Sequence, residues 1–304
     1  NKIWNAFRLV KGWRVDDQKP VPEASRLAAD WFESKQNEVA AEVADLFSKY
    51  RLSEALMAVY KLFWDEFSSW YLEIIKPAYG EGIPSSIHDC TLRFFDNLLH
   101  LLHPFMPFIT EEIWQHLYRT KDGMECTEEE IEERQASLMV DRITIDTVAD
   151  KELLVRFETV KEVISNIRSI RLQKNIAQKE ALELQVIGEN PVAAFNAVIT
   201  KMCNLSSIDV VENKADGAAS FMVGTTEYAV PLGNMIDVEA EIARMEAELK
   251  HKEGFLQDVL KKLGNEKFVN NAPATVLEME RKKQADAESI IKSLKESIAA
   301  LKKA

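Results

Sequence analysis

Apolar residues recur every three to four positions through most of the first half of the chain, and this period is the strongest constraint on its fold. Glycine and proline are scarce there and fall mostly in the gaps between the periodic stretches. The pattern predicts long helices joined by short breaks, which favours an antiparallel helix bundle over residues 1–149. The predicted helices cover residues 2–15, 24–50, 53–76, 85–102 and 107–120.

The pattern changes near residue 150, where a predicted helix over residues 151–172 is followed by short stretches of alternating polarity. A second helix is expected over residues 191–203, and a turn is expected at residues 213–217. Together these elements predict a small α+β module over residues 150–235. Its strands are expected at residues 182–186, 207–211, 219–223 and 227–230.

A heptad repeat follows residue 236, with apolar residues spaced by seven at Ile242, Leu249, Leu256 and Leu263. The companion position is filled by Met245 and Val259. The repeat stops after Gly264, and beyond Pro273 it resumes at Ala287, Ile291, Leu294, Ile298 and Leu301. Two matched heptad helices predict an antiparallel coiled-coil hairpin over residues 236–304, with arms roughly 40–45 Å long at 1.5 Å per residue. The predicted fold is therefore mainly α.

The chain of 304 residues has a formal net charge of -12, which as a sum argues against a nucleic-acid partner. The acidic excess lies in residues 1–150, with 27 acidic and 16 basic side chains, whereas residues 236–304 carry 13 of each. A locally basic surface on the predicted hairpin is compatible with this distribution.

No run of about 20 apolar residues occurs, and the first ten residues lack the apolar core of a secretory signal. We therefore expect a cytoplasmic protein without a membrane partner. The first residue is Asn1, which leads directly into a predicted helix, so we also expect a larger parent protein.

The residues that commonly carry chemistry form no familiar catalytic or metal-binding motif. Cys90, Cys126 and Cys203 are far apart, which favours neither a disulfide framework nor a zinc knuckle. Four histidines lie near Cys90, but their spacing fits no common structural zinc site; they are His88, His100, His103 and His116. Neighbouring acids such as Glu111 and Glu112 are typical of a solvated helix face. We predict no catalytic residue, no metal and no cofactor in this chain.

Aromatic and basic residues do mix in the opening helix, a composition suited to single-stranded RNA loops. Trp4 and Phe7 are also compatible with a place in the core, and on the residues alone that interpretation is favoured over RNA contact. A second basic group flanks the predicted hairpin tip; it comprises Lys261, Lys262, Lys267, Arg281, Lys282 and Lys283. Phosphates favour such a group, although basic runs are usually solvated faces.

Several segments resemble the class I aminoacyl-tRNA synthetases for branched-chain amino acids. Residues 1–6 (NKIWNA) resemble the start of the family's anticodon-binding bundle, and residues 103–114 (HPFMPFITEEIW) resemble a block shared by the valyl, isoleucyl and leucyl enzymes. Residues 164–171, 236–241 and 265–273 are similar to the linker and C-terminal coiled coil of the valyl-tRNA synthetase family. The resemblance covers essentially the whole chain.

The resemblance implies a C-terminal, tRNA-binding portion of an enzyme that joins valine to tRNA-Val with ATP and Mg. It implies that the bundle reads the anticodon region, with contacts from Lys2, Trp4, Asn5 and Arg8. It further implies that the arm contacts the tRNA elbow, through Lys261, Lys262, Lys267, Arg281 and Lys282. The family's two adenylate-binding signatures, HIGH and KMSKS, are absent, so catalysis and editing are expected in N-terminal domains outside this chain, which is expected to be inactive alone and monomeric.

Two alternatives stay open on the sequence alone. An isoleucyl or leucyl relative would share the block at residues 103–114, although an isoleucyl enzyme is expected to end in a cysteine-bearing zinc segment that this sequence lacks. A non-enzymatic scaffold would use the heptad helices to bind a partner's helix. The segment at residues 135–140 (QASLMV) also departs from the family pattern, so the exit from the bundle is expected to be remodelled.

Overall fold

A computed structural model describes residues 1–118, 120–121, 124–125, 137–141, 145–146, 148–232 and 238–264, together with single positions between 277 and 295. The chain divides into two compact units. The first comprises residues 1–170 and 177–231, and the second comprises residues 171–176 and 232–304. In the described residues no helix is both long enough and apolar enough to cross a membrane.

Helices dominate the first unit, as the apolar period predicted. They are α1 (Lys2–Lys11), α2 (Glu23–Ser48), α3 (Leu52–Lys61), a π-helical segment (Leu62–Tyr71), α4 (Leu72–Ile75), α5 (Ser85–Leu102) and α6 (Pro107–Tyr118). Proline marks several starts: Pro22 and Pro84 immediately precede α2 and α5, and Pro107 is the first residue of α6. The first helix ends four residues earlier than predicted, because the chain turns at Gly12 and enters strand β1 (Val15–Asp16), which pairs in parallel with β2 (Ile83–Pro84).

The core of this helical part is a cluster of fully buried aromatic rings from α2, the π-helical segment and α5. The Phe32 ring lies 5.0 to 5.3 Å, centroid to centroid, from the rings of Phe67, Tyr71 and Phe94. The Tyr71 hydroxyl is satisfied by a 2.8 Å hydrogen bond with Thr91 Oγ1, and burial raises the pKa of this phenol. Such ring contacts join three consecutive sequence regions into one core.

The π-helical segment interrupts what the sequence predicted as one α-helix over residues 53–76. Its wider turns carry backbone bonds from residue i to residue i+5. The Ser68 hydroxyl donates to the Phe63 carbonyl at 2.8 Å, and the Ser69 hydroxyl donates to the Trp64 carbonyl at 2.9 Å. Each hydroxyl thus donates to the carbonyl five residues earlier, the same spacing as the backbone hydrogen bonds. The two serines thus support the backbone around Trp64.

The predicted α+β elements follow in the expected order. Helix α7 spans Lys151–Gln173, and strands β5 (Leu182–Ile187), β6 (Leu205–Val211), β7 (Ala219–Val223) and β8 (Thr226–Val230) form a sheet in the order β6-β5-β8-β7. Strands β5 and β6 are parallel and the other pairs are antiparallel. A short 3-10 turn (Ala193–Phe195) leads into α8 (Asn196–Cys203), and the predicted turn is present, with Gly217 at φ +70°. A small antiparallel pair, β3 (Thr120–Lys121) and β4 (Met124–Glu125), was not predicted.

This module packs against the helical part within the same compact unit. The Trp31 and Phe157 rings, from α2 and α7, stack with centroids 4.0 Å apart, and the Phe157 ring meets Phe195 edge-on. Near the Trp31 ring, the Lys161 ammonium forms ion pairs with Glu66 Oε2 at 2.6 Å and with Glu158 Oε1 at 2.8 Å. A stacked pair and an ion-paired lysine therefore connect α7 to the helices that precede it.

The second unit contains helix α9 (Val238–Leu263) and further helical positions between residues 277 and 295. Val259, Ala287 and Ile291, three predicted seam residues, are buried, whereas Phe255 and Leu260 off the seam are exposed. An ion pair joins Lys295 Nζ to Glu253 Oε1 at 2.8 Å. The predicted tip of the hairpin, including Lys267, and the neighbouring Lys282 and Lys283 lie outside the described residues.

Candidate nucleic-acid interface

Helix α1 is basic within a strongly acidic chain. Its ten residues include Lys2, Arg8 and Lys11 and no acidic side chain. The buried face of the helix, built by Ile3, Ala6, Phe7 and Val10, rests on the helical core, and the Phe7 ring lies 6.2 Å from that of Phe95 in α5. Because apolar residues occupy one side at helical spacing, the polar residues are directed to the opposite side.

The outward face of α1 presents hydrogen-bonding and cationic groups side by side. Asn5 and Arg8 are exposed on consecutive turns, and the neighbouring Leu9 is 38% exposed. An amide, a guanidinium and an apolar surface are the groups with which proteins contact unpaired bases and phosphates. The geometry brings the predicted residues Asn5 and Arg8 together on one surface.

The two edges of this face are held by neighbouring helices. On one edge the Lys2 ammonium lies 3.9 Å from the centroid of the Trp64 ring, a cation–π contact that contributes about 0.5–1 kcal/mol at a partly exposed site. On the other edge the Trp4 ring lies 5.7 Å from that of His116 in α6, and Lys11 Nζ donates to the His116 carbonyl at 3.1 Å. The helix is therefore fixed on both sides, with its outward face left open.

The structure separates the two interpretations of the opening aromatics. Phe7 is buried and belongs to the core. Trp4 is only partly buried and contacts Phe7 and His116 through its ring, so its indole supports the edge of the helix. It lies at the edge of the outward face, one turn before Arg8, and its predicted RNA contact stays a prediction.

The cations of α1 differ in their partners from many other described cations. Within the part of the chain that the structure describes, neither Lys2 nor Arg8 pairs with a carboxylate, and Lys11 bonds a carbonyl. Elsewhere in the first unit, carboxylate pairs are common: Lys19 with Glu81, Arg26 with Asp30, Lys35 with Glu38, Lys49 with Asp45, Arg93 with Glu33 and Lys214 with Glu227. The positive charge of α1 therefore remains available to an external anion.

The histidines near Cys90 have separate partners. His103 Nδ1 contacts Thr110 Oγ1, His100 contacts Asp141, and His116 contacts Glu112. Burial lowers the pKa of His88, which leaves its imidazole neutral at pH 7 beneath α1. Among the described residues no group of three or more potential ligands could hold a metal ion.

The adjacent acids Glu111 and Glu112 also have identifiable structural roles. Glu111 Oε2 accepts hydrogen bonds from Ser137 Oγ at 2.9 Å and from the Leu138 backbone N–H at 3.0 Å, and Leu138 is buried. The shared block at residues 103–114 thereby anchors the exit from the helical part, in the segment where the sequence departs from the family pattern.

A cleft between α2, α3 and the π-helical segment is a second surface of the first unit that could bind a ligand. Its lining carries more acidic than basic side chains, and one of its lysines, Lys35, is already paired with Glu38. The cleft therefore offers less to a polyanion than α1 does; its charged lining residues are Lys35, Glu42, Glu54, Lys61 and Glu66.

In the second unit, three of the predicted arm cations lie on described helical positions. Lys261, Lys262 and Arg281 are exposed, and Lys261 Nζ lies 3.8 Å from Asp258 Oδ1, in a pair whose side chains are both about three-quarters exposed. Such a solvated pair neutralises the lysine only weakly. Lys267 and Lys282 lie outside the described residues, so their placement stays a prediction.

Sequence reasoning did not identify Trp64 and Tyr60 as neighbours of the opening helix. Their rings stack at 5.0 Å with an interplanar angle of 17°, and Tyr60 is 43% exposed. The available signal was the aromatic spacing in residues 60–71 (YKLFWDEFSSWY), which indicates a helix with rings on more than one side. Which ring meets Lys2 depends on packing between segments about 60 residues apart in the sequence.

Comparison with known proteins identifies two matching families. Residues 29–186 match the family model described as the anticodon-binding domain of tRNA ligase, and residues 237–302 match the valyl tRNA synthetase tRNA binding arm. The chain is 77% identical over 304 residues to a valine--tRNA ligase of Bacteroides thetaiotaomicron and 69% identical over 303 residues to one of Phocaeicola vulgatus. A valine--tRNA ligase of Christiangramia forsetii is 43% identical over 302 residues. These alignments cover 99 to 100% of the chain, and the chain spans about a third of the length of these relatives.

Proposed function

The chain belongs to the family of anticodon-binding domains of tRNA ligases, and on that premise we propose that it is the tRNA-binding portion of a valine--tRNA ligase. In this proposal the outward face of α1 contacts the anticodon region of tRNA-Val through Lys2, Asn5 and Arg8, and Trp4 supports it from the edge. The parent enzyme would join valine to tRNA-Val with ATP and Mg, using catalytic and editing domains outside this chain.

One observation carries the proposal for α1. The helix holds three cations and no acid, and neither Lys2 nor Arg8 is neutralised by a carboxylate among the described residues. In a chain with a net charge of -12, long-range attraction does not favour RNA, so binding must depend on local contacts. Unpaired cations beside an exposed amide provide such contacts.

We further propose that residues 236–304 form an antiparallel hairpin that contacts the tRNA elbow. The proposal is supported by the Glu253–Lys295 ion pair and by the burial of Val259, Ala287 and Ile291. Helix α9 ends at Leu263, so in this proposal the tip of the hairpin lies between that residue and the start of the second arm near Pro273. The cations Lys261, Lys262, Lys267, Arg281 and Lys282 then lie along the distal part of one finger.

The division of labour follows the boundaries that the sequence predicted. Residues 1–149 would bind the anticodon region, residues 150–235 would connect the two binding elements, and residues 236–304 would form the arm. The protein would act as a monomer, because one tRNA presents both the anticodon region and the elbow. Two separated contacts hold a folded RNA in one orientation better than either alone.

The proposal is tested by binding of the 304-residue chain to purified tRNAs in a gel-shift assay. We expect a shift with tRNA-Val that is stronger than with tRNA-Ile or tRNA-Leu, and strong salt dependence. Equal or stronger binding of tRNA-Ile or tRNA-Leu would favour one of the other branched-chain synthetases. No retardation of any tRNA would contradict the proposal and favour a scaffold role.

The arm contact has its own test within this assay. Replacing Arg281→Ala together with Lys282→Ala should weaken tRNA-Val binding and reduce its dependence on salt, because fewer phosphate contacts release fewer counterions. A matched control is Lys49→Ala with Arg51→Ala, which removes two exposed cations at the end of α2. If the arm variant and the control behave alike, the arm does not contact the elbow.

A further inference from the structure

Trp64 holds the Lys2 ammonium without neutralising it. The ring centroid lies 3.9 Å from Lys2 Nζ, and no carboxylate among the described residues pairs with this lysine. A carboxylate would fix the ammonium but cancel its charge, whereas an aromatic ring attracts it through the quadrupole and leaves the full charge in place. The contact therefore restricts the flexible Lys2 side chain and preserves the positive charge that an anion would bind.

The ring is itself held in orientation. Tyr60 stacks on it at 5.0 Å, one helical turn earlier in α3, and the Trp64 carbonyl accepts a hydrogen bond from Ser69 Oγ at 2.9 Å. Both contacts come from residues close in sequence, in the stretch where the α-helix passes into the π-helical segment. Lys2 thus meets a ring that stacks on Tyr60 and whose backbone is supported by Ser69.

Lysine gains from such support more than most residues do. Its four-carbon side chain carries about 2 kcal/mol of rotamer entropy at full freedom. Because the Lys2 side chain is already restricted in the free protein, less rotamer entropy is lost when RNA binds.

We propose that Trp64 is a positioning residue for RNA binding: it presents the Lys2 ammonium to a phosphate of the RNA loop bound by α1. This inference rests on the proposed function of α1 and adds to it a residue that the sequence analysis did not assign. The partner atom is a phosphate oxygen, because a lysine ammonium recognises phosphate as a compact point charge. Trp64 itself does not touch the RNA.

The experiment measures binding of an RNA hairpin with the anticodon stem-loop sequence of tRNA-Val to the full chain, at several salt concentrations. Lys2→Met and Trp64→Leu should each weaken binding about two- to fivefold, the range of a cation–π contact, and each should lower the salt slope by about 0.7. Combining them should weaken binding no further than either alone, because both remove the same contact. Trp64→Phe and Lys2→Arg, which keep a ring and a cation, should restore most of the affinity.

A matched control comes from the same helical stretch. Trp70 lies 5.9 Å from Lys161 and 5.6 Å from Arg168, away from α1, so Trp70→Leu should leave RNA affinity and salt slope unchanged. Thermal unfolding of every variant separates loss of fold from loss of contact. If Trp64→Leu unfolds, Trp64→Met, which keeps a large apolar side chain but no ring, and its combination with Lys2→Met decide by the same additivity criterion.

The outcomes distinguish this proposal from the proposed function. If Lys2→Met weakens binding and Trp64→Leu does not, Trp64 is not a positioning residue, although α1 still binds RNA. If the two losses add, Trp64 acts independently of Lys2, for example by stacking on a base, and the positioning proposal is overturned. If neither substitution matters while tRNA-Val still binds, the positioning proposal fails together with the Lys2 contact, and the proposed tRNA-binding function then depends on Asn5, Arg8 and the arm.

Discussion

Two lysines among the residues that the structure describes lie near tryptophan rings, and their surroundings differ. Lys161, on α7, is about nine-tenths buried, lies 5.0 Å from the Trp31 ring and contacts two carboxylates, those of Glu66 and Glu158. Lys2, at the start of α1, is partly exposed and has the Trp64 ring alone among the described residues. The charge of Lys161 is thus balanced by two carboxylates, whereas no described carboxylate balances the charge of Lys2.

The difference shows how an acidic chain can carry a site for an anion. A buried ammonium must be paired, because removal from water is costly. A partly exposed one keeps its hydration, needs no carboxylate, and can be held by a ring at small cost. Sequence charge counts do not separate the two cases, because both residues count as one positive charge.

The largest effect should come from Lys161→Met, which leaves the carboxylate of Glu66, 17% exposed, without its partner in the described structure. Breaking such a pair costs about 3–5 kcal/mol of unfolding free energy when it is fully buried, and about 2–4 kcal/mol is expected here because some water reaches Glu66. Urea denaturation followed by circular dichroism measures this loss. Lys2→Met should cost less than about 1 kcal/mol, and equal losses would remove the distinction between the two lysines.

The next effect is on RNA binding by the charge reversal Arg8→Glu. It should weaken binding of tRNA-Val about tenfold or more, because a cation on the outward face of α1 becomes an anion. Arg26→Glu is the control: Arg26 is exposed on α2, pairs with Asp30, and its reversal changes the net charge equally. Filter binding at constant ionic strength compares the two, and equal weakening would mean that net charge rather than the α1 surface controls affinity.

A smaller effect is expected for the second unit from Lys261→Ala combined with Lys262→Ala. Two solvated cations at the end of α9 should contribute a few-fold in affinity, and their loss should reduce the salt slope by about 1. The titration is repeated with an isolated anticodon hairpin, which lacks the elbow. A similar loss with that hairpin would show that these lysines contribute only general attraction.

The smallest effect concerns an exposed pair that should contribute slightly to stability, above acid pH, and not to RNA binding. Hydrogen bonding to Lys214 lowers the pKa of Glu227 below its ordinary value of 4.5. The stabilisation is therefore complete above that value and is lost as the pH falls through the lowered pKa. Lys214→Met should lower the melting temperature slightly at pH 7, and this difference from wild type should shrink as the pH falls below 4.5 and Glu227 becomes protonated. RNA binding should not change, and a change would contradict the assignment of RNA binding to α1 and the arm.

Local patterns predicted most elements of the first unit but not the contacts that organise its surface. Helix α5 and strand β7 have the bounds that periodicity and alternation predicted, because one face of each is apolar and its neighbours are turn residues. The early end of α1 was missed, because β1 forms only when Val15 and Asp16 meet Ile83 and Pro84. That pairing is set by tertiary structure rather than by local propensity.

The candidate site was predictable to a similar degree. The composition of residues 1–14 predicted a basic, aromatic helix, and the resemblance selected Lys2, Asn5 and Arg8, whose role stays a prediction. The contact with Trp64 could not be predicted, since it requires knowing which side of the helix over residues 53–76 faces α1. The π-helical segment changes that direction, and no periodicity argument based on 3.6 residues per turn anticipates it.

The wide turns of residues 62–71 also affect how this helix tolerates a change in length. In an ordinary α-helix the deletion of one residue rotates every later side chain by about 100° and would take a core residue such as Tyr71 out of the aromatic cluster. A π-helical segment can lose a residue by returning to bonds between residues i and i+4, so part of that rotation is absorbed within it. A deletion at Ser68 or Ser69 should consequently be accepted more readily than one in the middle of α2.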